Sequence, residues 1–285
     1  MILIADSGST KTDWVLLQTK SDTILSNIKT QGINPVFLSR DRIRAVICEE
    51  LIPHLSADSL QSVSEIYFYG AGCREEFIPS MESLLREIFP HAGEVSVNSD
   101  MLGAARAVCG HKEGLACILG TGMNSCLFDG NHMTKNVPSL GFILGDEGSG
   151  AVMGKLLLNN VYKGVFKEQV KEELERTYQL SISTIIQRVY REPMPSRFLA
   201  SLALFVHDHL NDDQVKQMVI DNFRSFFQKN IILYHRPDLE VGAVGSVAFY
   251  FKEQLIEAAQ LEGIRMGRMM KSPINGLIEY HSHKT

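Results

Sequence analysis

The chain has 285 residues, enough for one large or two medium-sized domains. Its composition, 45% hydrophobic and 21% charged, is that of an ordinary globular protein, and a net charge of -5 excludes bulk attraction to nucleic acid or to an anionic membrane. The five cysteines form no CxxC motif, and no signal peptide or membrane-spanning run is visible, so we expect a soluble cytoplasmic protein.

The first candidate site lies at the N-terminus, where an apolar segment precedes the sequence DSGSTKT and a second, β-prone apolar run follows it. This pattern predicts a strand over 1–5, a polar turn over 6–12 and a strand over 13–19. A P-loop is excluded, because that motif needs Gly-Lys followed by a helix, whereas Thr10 precedes Lys11 and strand residues follow.

The same turn can bind phosphate in another way, because small residues leave consecutive backbone N–H groups open to an anion. Those small residues are Ser7, Gly8 and Ser9. Thr10 and Lys11 add a hydroxyl and a cation, and Asp6 stands at the strand end, where a carboxylate can hold a hydrated Mg²⁺. A plain hairpin turn is the alternative interpretation.

An irregular polar segment containing Gly32, Asn34 and Pro35 comes next, and an α/β alternation follows it. The predicted elements are a helix over 40–55, a strand over 65–70, a helix over 76–89, a strand over 94–98 and a helix over 101–109. The pattern then restarts with an apolar strand over 114–119, the small-residue turn GTGMNS over 120–125 and a strand over 126–128. This architectural repeat predicts a second α/β domain.

The second half of the chain is mostly helical. Helix-period apolar residues occur over 149–162, 167–178, 182–190, 198–211 and 213–233, and a short strand, a helix, a strand and a terminal helix complete the chain. We therefore expect an N-terminal domain over 1–113, on which a helix over 274–285 packs, and a helix-rich C-terminal domain over 114–273, with a cleft between the two.

Asp100 is a candidate general base, because it ends a strand at the edge of an α/β sheet where ligands gather. The alternative is that Asp100 only caps the helix that follows. The segment GDEGSG over 145–150 places Asp146 and Glu147 between glycines just before a helix, where they can bind sugar hydroxyls or assist a metal; a turn capped by Ser149 is the alternative.

Two further glycine-containing segments are ambiguous. The backbone of GTGMNS can enclose an anion or form a simple hairpin loop, and GAVGS over 242–246 can lie against a nucleotide or only allow close packing of strand and helix. His207 and His209 are interpreted as surface or interface residues, and the chain contains no HExxH or GxSxG motif.

The order of these motifs along the chain resembles that of the N-acetylglucosamine kinase family, within the BadF/BadG/BcrA/BcrD ATPase group and the superfamily of sugar kinases, heat-shock ATPases and actin. The motifs are DSGSTKT, GINP from Gly32, NSD ending at Asp100, GTG from Gly120, GFILGDEGS from Gly141 and GAVGS from Gly242. The resemblance covers essentially the whole chain, and the first hairpin and GDEGSG are its most specific parts.

The resemblance implies an α/β fold of two ribonuclease-H-like, actin-like ATPase domains flanking an interdomain cleft, in which ATP and a sugar meet. It places Asp6 near Mg²⁺, and it places the ATP phosphates at Ser9, Thr10, Lys11, Gly120, Thr121 and Gly122. Asp100 would accept the proton of the sugar 6-hydroxyl. The sugar would contact Asn34, Gly141, Asp146 and Glu147, and the adenosine would contact Gly245 and Ser246.

The most favoured function is ATP-dependent phosphorylation of an amino sugar, above all N-acetylglucosamine, with N-acetylmuramic acid and glucosamine left open. Leu140 stands where animal members carry a tryptophan against the sugar, and Met123 stands where serine is common. Two rival functions are an ATPase that activates a radical dehydratase and a non-catalytic sugar sensor. Homodimers are common among such kinases, but the sequence leaves the oligomeric state open.

Overall fold

The computed structural model describes residues 1–8, 10–18 and 23–282, and the chain divides into two compact units. Unit 1 contains Met1–His111, Gly130–His132 and the C-terminal segment from Pro273. Unit 2 contains Lys112–Asp129 and Met133–Ser272. No helix among the described residues is both long enough and apolar enough to cross a membrane.

The sheet of unit 1 has five strands. They are β1 (Ile2–Ser7), β2 (Lys11–Gln18), β3 (Thr23–Gln31), β4 (Glu65–Gly70) and β5 (Glu94–Ser99). Their order is β3-β2-β1-β4-β5. The pairs β1–β2 and β2–β3 are antiparallel, and the pairs β1–β4 and β4–β5 are parallel. The sequence pattern does not reveal β3, because most of its side chains are exposed and no apolar run marks it.

Four helices of unit 1 follow in chain order. They are α1 (Arg40–Val46), which continues through π-helical and 3-10 turns to His54, α2 (Ala57–Ser62), α3 (Ile78–Ile88) and α4 (Asp100–Cys109). The core of the unit includes Leu3, Trp14, Phe68 and Leu84, all fully buried. Trp14 is satisfied inside this core because its indole N–H donates to Thr30 Oγ1 at 3.0 Å.

The sheet of unit 2 repeats that of unit 1. Its strands are β6 (Gly114–Leu119), β7 (Met123–Phe128), β8 (Met133–Asn136), β9 (Val241–Val244) and β10 (Met266–Met270). Their order is β10-β9-β6-β7-β8, with an antiparallel β6–β7–β8 meander and parallel β6–β9–β10 pairing. Three antiparallel strands followed by two parallel ones is also the arrangement of unit 1, which confirms the predicted α/β class and its internal repeat.

Helices supply most of the remainder of unit 2. They are α5 (Gly141–Leu144), α6 (Gly150–Tyr162), α7 (Glu168–Tyr178), α8 (Ile182–Tyr190), α9 (Pro195–Ser201), α10 (Ala203–Asp208), α11 (Asp213–Phe226), α12 (Ser246–Tyr250) and α13 (Lys252–Leu261). The single helix predicted over 198–211 is two helices, α9 and α10.

The last helix, α14 (Ile274–Ser282), belongs to unit 1. It packs on α4, and Tyr280 lies under the Arg106 guanidinium.

Candidate active site

The hairpin between β1 and β2 forms a short, closed turn in unit 1. The Gly8 N–H donates to Lys11 O at 3.0 Å, and the Gly32 N–H donates to Thr10 O at 3.1 Å. Ser9, one of the predicted phosphate-binding residues, lies outside the described residues. Thr10 thus lies at the tip of the hairpin and Lys11 begins β2, while Asp6 is the last residue but one of β1.

Hydroxyl groups join this hairpin to the segment that carries Asn34. Ser7 Oγ lies 2.7 Å from Thr12 Oγ1, donates to the Ile33 carbonyl and accepts the Ile33 N–H, both at 2.9 Å. All of these groups are buried. The arrangement fixes Asn34, the next residue, beside the base of the hairpin.

Asn34 adopts a turn that depends on a glycine far along the chain. Its side-chain Oδ1 accepts the Val36 N–H at 3.0 Å, and its carbonyl accepts the N–H groups of Phe37 and Leu38. Gly72 has φ +77°, and a Cβ atom there would lie 2.2 Å from Asn34 Oδ1. Glycine at 72 therefore leaves the space that the Asn34 side chain occupies.

Asp100 lies in the same region of unit 1. Ser99 caps α4 by accepting the Leu102 N–H, and Asp100 is the first residue of the helix. The alternative interpretation of Asp100 as the helix cap is therefore wrong. Asp100 Oδ1 accepts the adjacent Met101 N–H at 2.9 Å.

The electrostatic surroundings of Asp100 favour its neutral form. Burial raises the pKa of the Asp100 carboxyl, and hydrogen bonds from Met101 and its own backbone N–H oppose the shift only in part. Burial, followed by the Asp100 charge, raises the pKa of the Cys73 thiol to about 12. Cys73 follows Gly72, so one short segment faces Asn34 at Gly72 and is within electrostatic range of Asp100 at Cys73.

Replacing Gly72 with alanine is expected to lower the free energy of unfolding by about 2 to 3 kcal/mol, because the methyl group meets Asn34 and the positive φ is strained. Gly110→Ala is the matched control, since Gly110 has φ +60° and open space around its Cβ position. Chemical denaturation of both variants measures the difference. Equal losses in the two would show that Asn34 moves aside without cost.

In unit 2, the loop after β6 lies against the start of α6. Gly120 N–H donates to Gly122 O at 3.0 Å, while Gly120 O and Thr121 O accept the first N–H groups of α6 at 2.8 and 3.1 Å. One of these bonds lies within the loop and two join it to α6. They hold the loop in one conformation without a ligand.

A cavity of about 620 Å³ brings together three of the residues predicted to bind ATP: Gly120, Thr121 and Ser246. Its volume lies in the usual range of small-molecule sites. Gly245 stands just before Ser246 with φ +124°, and a Cβ atom there would lie 2.2 Å from Leu119 O. The GAVGS segment thus packs closely on β6, and it contributes Ser246 to the cavity.

The rest of this cavity comes from residues that the sequence analysis did not select. Leu204, His207 and Tyr250 line it, and His207 packs edge-on against the Tyr250 ring. His207 was predicted to lie at the surface or at an interface, and its side chain is 39% exposed where it lines the cavity. The sequence around His207 carries no signal of this cavity, because Tyr250 of α12 comes next to His207 only when the chain folds.

Asp146 lies against the same loop. It is buried, has φ +55°, and its carboxylate would be 3.1 Å from a Cβ atom on Gly122. Burial raises the pKa of Asp146 to about 6, and the Glu147 charge adds to this while Met123 N–H and Lys155 oppose it. The structure therefore places the GTG and GDEGSG segments in contact.

Glu147 and Gly141 have different surroundings. Glu147 lines a second cavity, of about 820 Å³, and its Oε1 lies 3.0 Å from Lys229 Nζ. Partial burial opposes its ionisation, but its own backbone N–H and Lys229 keep its pKa below the usual range.

Gly141 begins α5 with φ +74°, next to the exposed Leu140. Its carbonyl accepts the Gly145 N–H.

The described residues contain no group of three or more His, Cys, Asp or Glu side chains arranged to hold a metal ion. A magnesium ion bound with a nucleotide needs less, because it is held by one or two carboxylates together with phosphate oxygens and water. Asp6 can supply one such carboxylate.

Comparisons with known proteins give matches among solved structures only, since no protein-family model and no curated protein matches the chain. The chain is 44% identical to a protein from Porphyromonas gingivalis provisionally described as an N-acetylglucosamine kinase, with a TM-score of 0.94 over 100% of this chain and 99% of that one. A Chromobacterium violaceum protein with the same provisional description has 14% identity and a TM-score of 0.69, with 98% of each chain covered.

A ROK hexokinase from Thermus thermophilus also matches, with 14% identity and a TM-score of 0.56 over 98% of this chain and 96% of that one. At 14% identity, this match and the Chromobacterium violaceum match show the fold alone. The Porphyromonas gingivalis match, in contrast, extends to sequence along the entire chain.

Proposed function

The chain belongs to the N-acetylglucosamine kinase family, and from this premise we propose that it transfers the γ-phosphate of ATP to the 6-hydroxyl of an amino sugar, N-acetylglucosamine above all. That the protein is a sugar kinase rests on its 44% identity over the full chain. The finer assignment of nucleotide, sugar and hydroxyl draws support from the geometry within each unit.

In unit 2, the cavity lined by Gly120, Thr121 and Ser246 is the proposed site of the ATP adenosine and phosphates. Its support is a preformed loop of small residues whose conformation is fixed by bonds to α6. Gly245 and Gly122 shape this site, and Asp146 beside Gly122 is proposed to bind the sugar hydroxyls together with Gly141 and Glu147.

In unit 1, Asp100 is proposed as the general base and Asn34 as a ligand of the sugar. Asp100 accepts the proton of the 6-hydroxyl, the oxygen forms a bond to the γ-phosphorus, and the bond to the β-phosphate oxygen breaks to release ADP. Its raised pKa suits this role, because a more basic carboxylate takes the proton more readily.

The hairpin of unit 1 is proposed to bind the phosphates through Ser9, Thr10 and Lys11, with Asp6 as the magnesium ligand. Bound magnesium would supply charge neutralisation of the phosphate oxygens. Lys11 contributes a cation at the tip of the hairpin, and Asp6 contributes the carboxylate at its base.

A coupled assay of ADP release with MgATP tests the proposal. Its sugar panel contains N-acetylglucosamine, N-acetylmuramic acid, glucosamine, glucose and no sugar, and phosphorus NMR of the product identifies the phosphorylated hydroxyl. Release that requires N-acetylglucosamine and yields its 6-phosphate supports the proposal. Release without any sugar supports an activator ATPase, and sugar binding without turnover supports a sensor.

Gly120→Ala separates folding from nucleotide binding. No atom lies within 4 Å of the Cβ position at Gly120, so the variant is expected to fold normally. The KM for ATP is expected to rise about tenfold or more, because the added methyl group keeps the phosphate from coming close to the loop backbone. Gly93→Ala, which meets only Ser64 O at 3.8 Å, is the control. An unchanged KM for ATP would contradict the role of this loop.

A further inference from the structure

Three charged side chains share one face of the β1–β2 hairpin. Lys11 and Asp13 are two residues apart on β2, so their side chains leave the same face of the sheet. Asp6 stands directly opposite Asp13 in the antiparallel register, which brings it to that face as well. Ser7 and Thr12, the next pair in the register, turn their hydroxyls to each other on the opposite face.

Asp13 and Lys11 differ sharply in exposure. The Asp13 side chain is 8% exposed and the Lys11 side chain is 59% exposed, and Lys11 Nζ lies 2.6 Å from Asp13 Oδ2. The buried carboxylate thus anchors one end of an otherwise accessible lysine. An ammonium group has three N–H donors, so donors remain for a second acceptor after one has bonded to Asp13.

We propose that Asp13 is a positioning residue for nucleotide binding, which holds the Lys11 ammonium at the hairpin so that a phosphate group meets a cation already in place. The inference rests on the proposed function, because it takes Lys11 as a phosphate ligand. Lysine has among the largest side-chain entropies, and a lysine that is ordered before binding does not lose that entropy when the phosphate arrives.

The charge of Asp13 has the opposite effect on an anion, and the magnitudes decide between the two. The phosphate is taken to meet Lys11 on its exposed side, where water screens the Asp13 charge, so removing that charge tightens binding by only about threefold. Ordering a free lysine side chain weakens it by up to about thirtyfold. The net expectation for Asp13→Asn is therefore about tenfold weaker nucleotide binding.

Calorimetric titration with ADP in the presence of a chelator tests this without magnesium and without turnover. Asp13→Asn is expected to raise the Kd for ADP about tenfold and Lys11→Met by at least as much. The double variant is expected to match Lys11→Met alone, because Asp13 acts through Lys11. In kinetic assays, the KM for ATP should rise by a similar factor while the KM for the sugar stays within about twofold.

Asp212→Asn is the matched control. Lys167 Nζ lies 2.7 Å from Asp212 Oδ2 in unit 2, and asparagine keeps the cap that Asp212 provides for α11. ADP binding by this variant should equal that of the wild type. Asp13→Glu, which keeps the anchoring charge, should bind ADP more tightly than Asp13→Asn and provides a second variant if the latter folds poorly.

Unchanged or tighter ADP binding by Asp13→Asn would overturn the proposal, as would an additive loss in the double variant. An equal loss of ADP and sugar affinity together with a lowered Tm would assign Asp13 a purely structural role and would overturn it too. A wild type without affinity for ADP, both with the chelator and with magnesium, contradicts the proposed function itself. A wild type that binds ADP but phosphorylates no sugar contradicts only the kinase assignment and leaves the Asp13 result decisive.

Discussion

Replacing Asp100 with asparagine is expected to lower kcat for sugar phosphorylation by a factor of about 100 to 10,000, with ATP and sugar binding nearly unchanged. Asparagine has the same shape and can still accept the Met101 N–H, but it cannot take a proton from the sugar hydroxyl. The position at the start of α4 is preserved because Ser99, not Asp100, caps the helix. The loss should therefore be chemical and not structural.

The pH dependence of the wild type follows from the same carboxyl group. Burial raises the pKa of Asp100, so this proposed base should stay protonated and inactive over a wider acid range than an exposed aspartate would. Activity should rise with pH until it passes that raised pKa. For stability the sign is reversed: the neutral carboxyl is favoured in the folded chain, so its contribution is present at low pH and is lost as pH rises.

Sugar-binding titrations at neutral pH, together with stopped assays of product formation and thermal unfolding at several pH values, measure these effects. Asp58→Asn is the matched control, because Asp58 also lies in the first turn of a helix of unit 1 but is exposed. It should leave kcat within about twofold, as expected for a surface substitution. Retained turnover by Asp100→Asn, at more than a tenth of the wild-type rate, would remove Asp100 from the chemistry.

The regular elements were largely predictable because their apolar residues form a local pattern. The helices α3 and α6 have apolar residues at helical spacing, and the strands β1 and β6 are short, nearly continuous buried runs. The strands β3 and β8 escaped prediction because most of their residues are exposed, so no run of buried apolar residues marks them before they pair with β2 and β7. Edge strands commonly lack a periodic signal for this reason.

The candidate site was predictable only where the motif is local. Asp100 and Asp146 each follow a recognisable segment, and the motif order along the chain supplied their grouping. The contacts that shape the site are long-range: Gly72 makes room for Asn34, and Lys229 pairs with Glu147 from 82 residues away. No local pattern contains such pairs, since they exist only after the sheets and helices have packed.

Asp146→Asn should raise stability while it weakens sugar binding. Burial raises the pKa of Asp146 to about 6, so at neutral pH the folded chain carries a buried carboxylate at an energetic cost. Asparagine removes that charge, and it tolerates the positive φ of +55° at this position well. We expect a gain of about 1 to 3 kcal/mol at pH 8, and a Tm increase of about 2 to 8 °C.

The gain must depend on pH with a definite sign. Below the pKa of an unfolded aspartate, about 4, the Asp146 carboxyl is neutral in the folded and the unfolded chain. There a change of pH should not alter the stability difference between the wild type and Asp146→Asn. Between there and about 6, the wild type loses the stability of its neutral carboxyl, so the advantage of Asp146→Asn grows and then levels off. Thermal unfolding at several pH values measures this curve, and a lower Tm of the variant at pH 8 would contradict it.

Glu147→Gln supplies the comparison of opposite sign, one residue away. The pKa of Glu147 is lowered, so its ionised form is favoured in the folded chain and its contribution is present at neutral pH and lost as pH falls. Removing that charge leaves Lys229 unpaired and should lower the Tm at pH 8, where Asp146→Asn raises it. Because Asp146 is proposed to bind the sugar as a charged acceptor, Asp146→Asn is expected to raise the KM for the sugar about 10- to 100-fold. A more stable protein with an unchanged KM would mean that burial of this carboxylate serves no ligand. A more stable protein that has lost its sugar would mean that the site keeps an unfavourable charge because the reaction needs it.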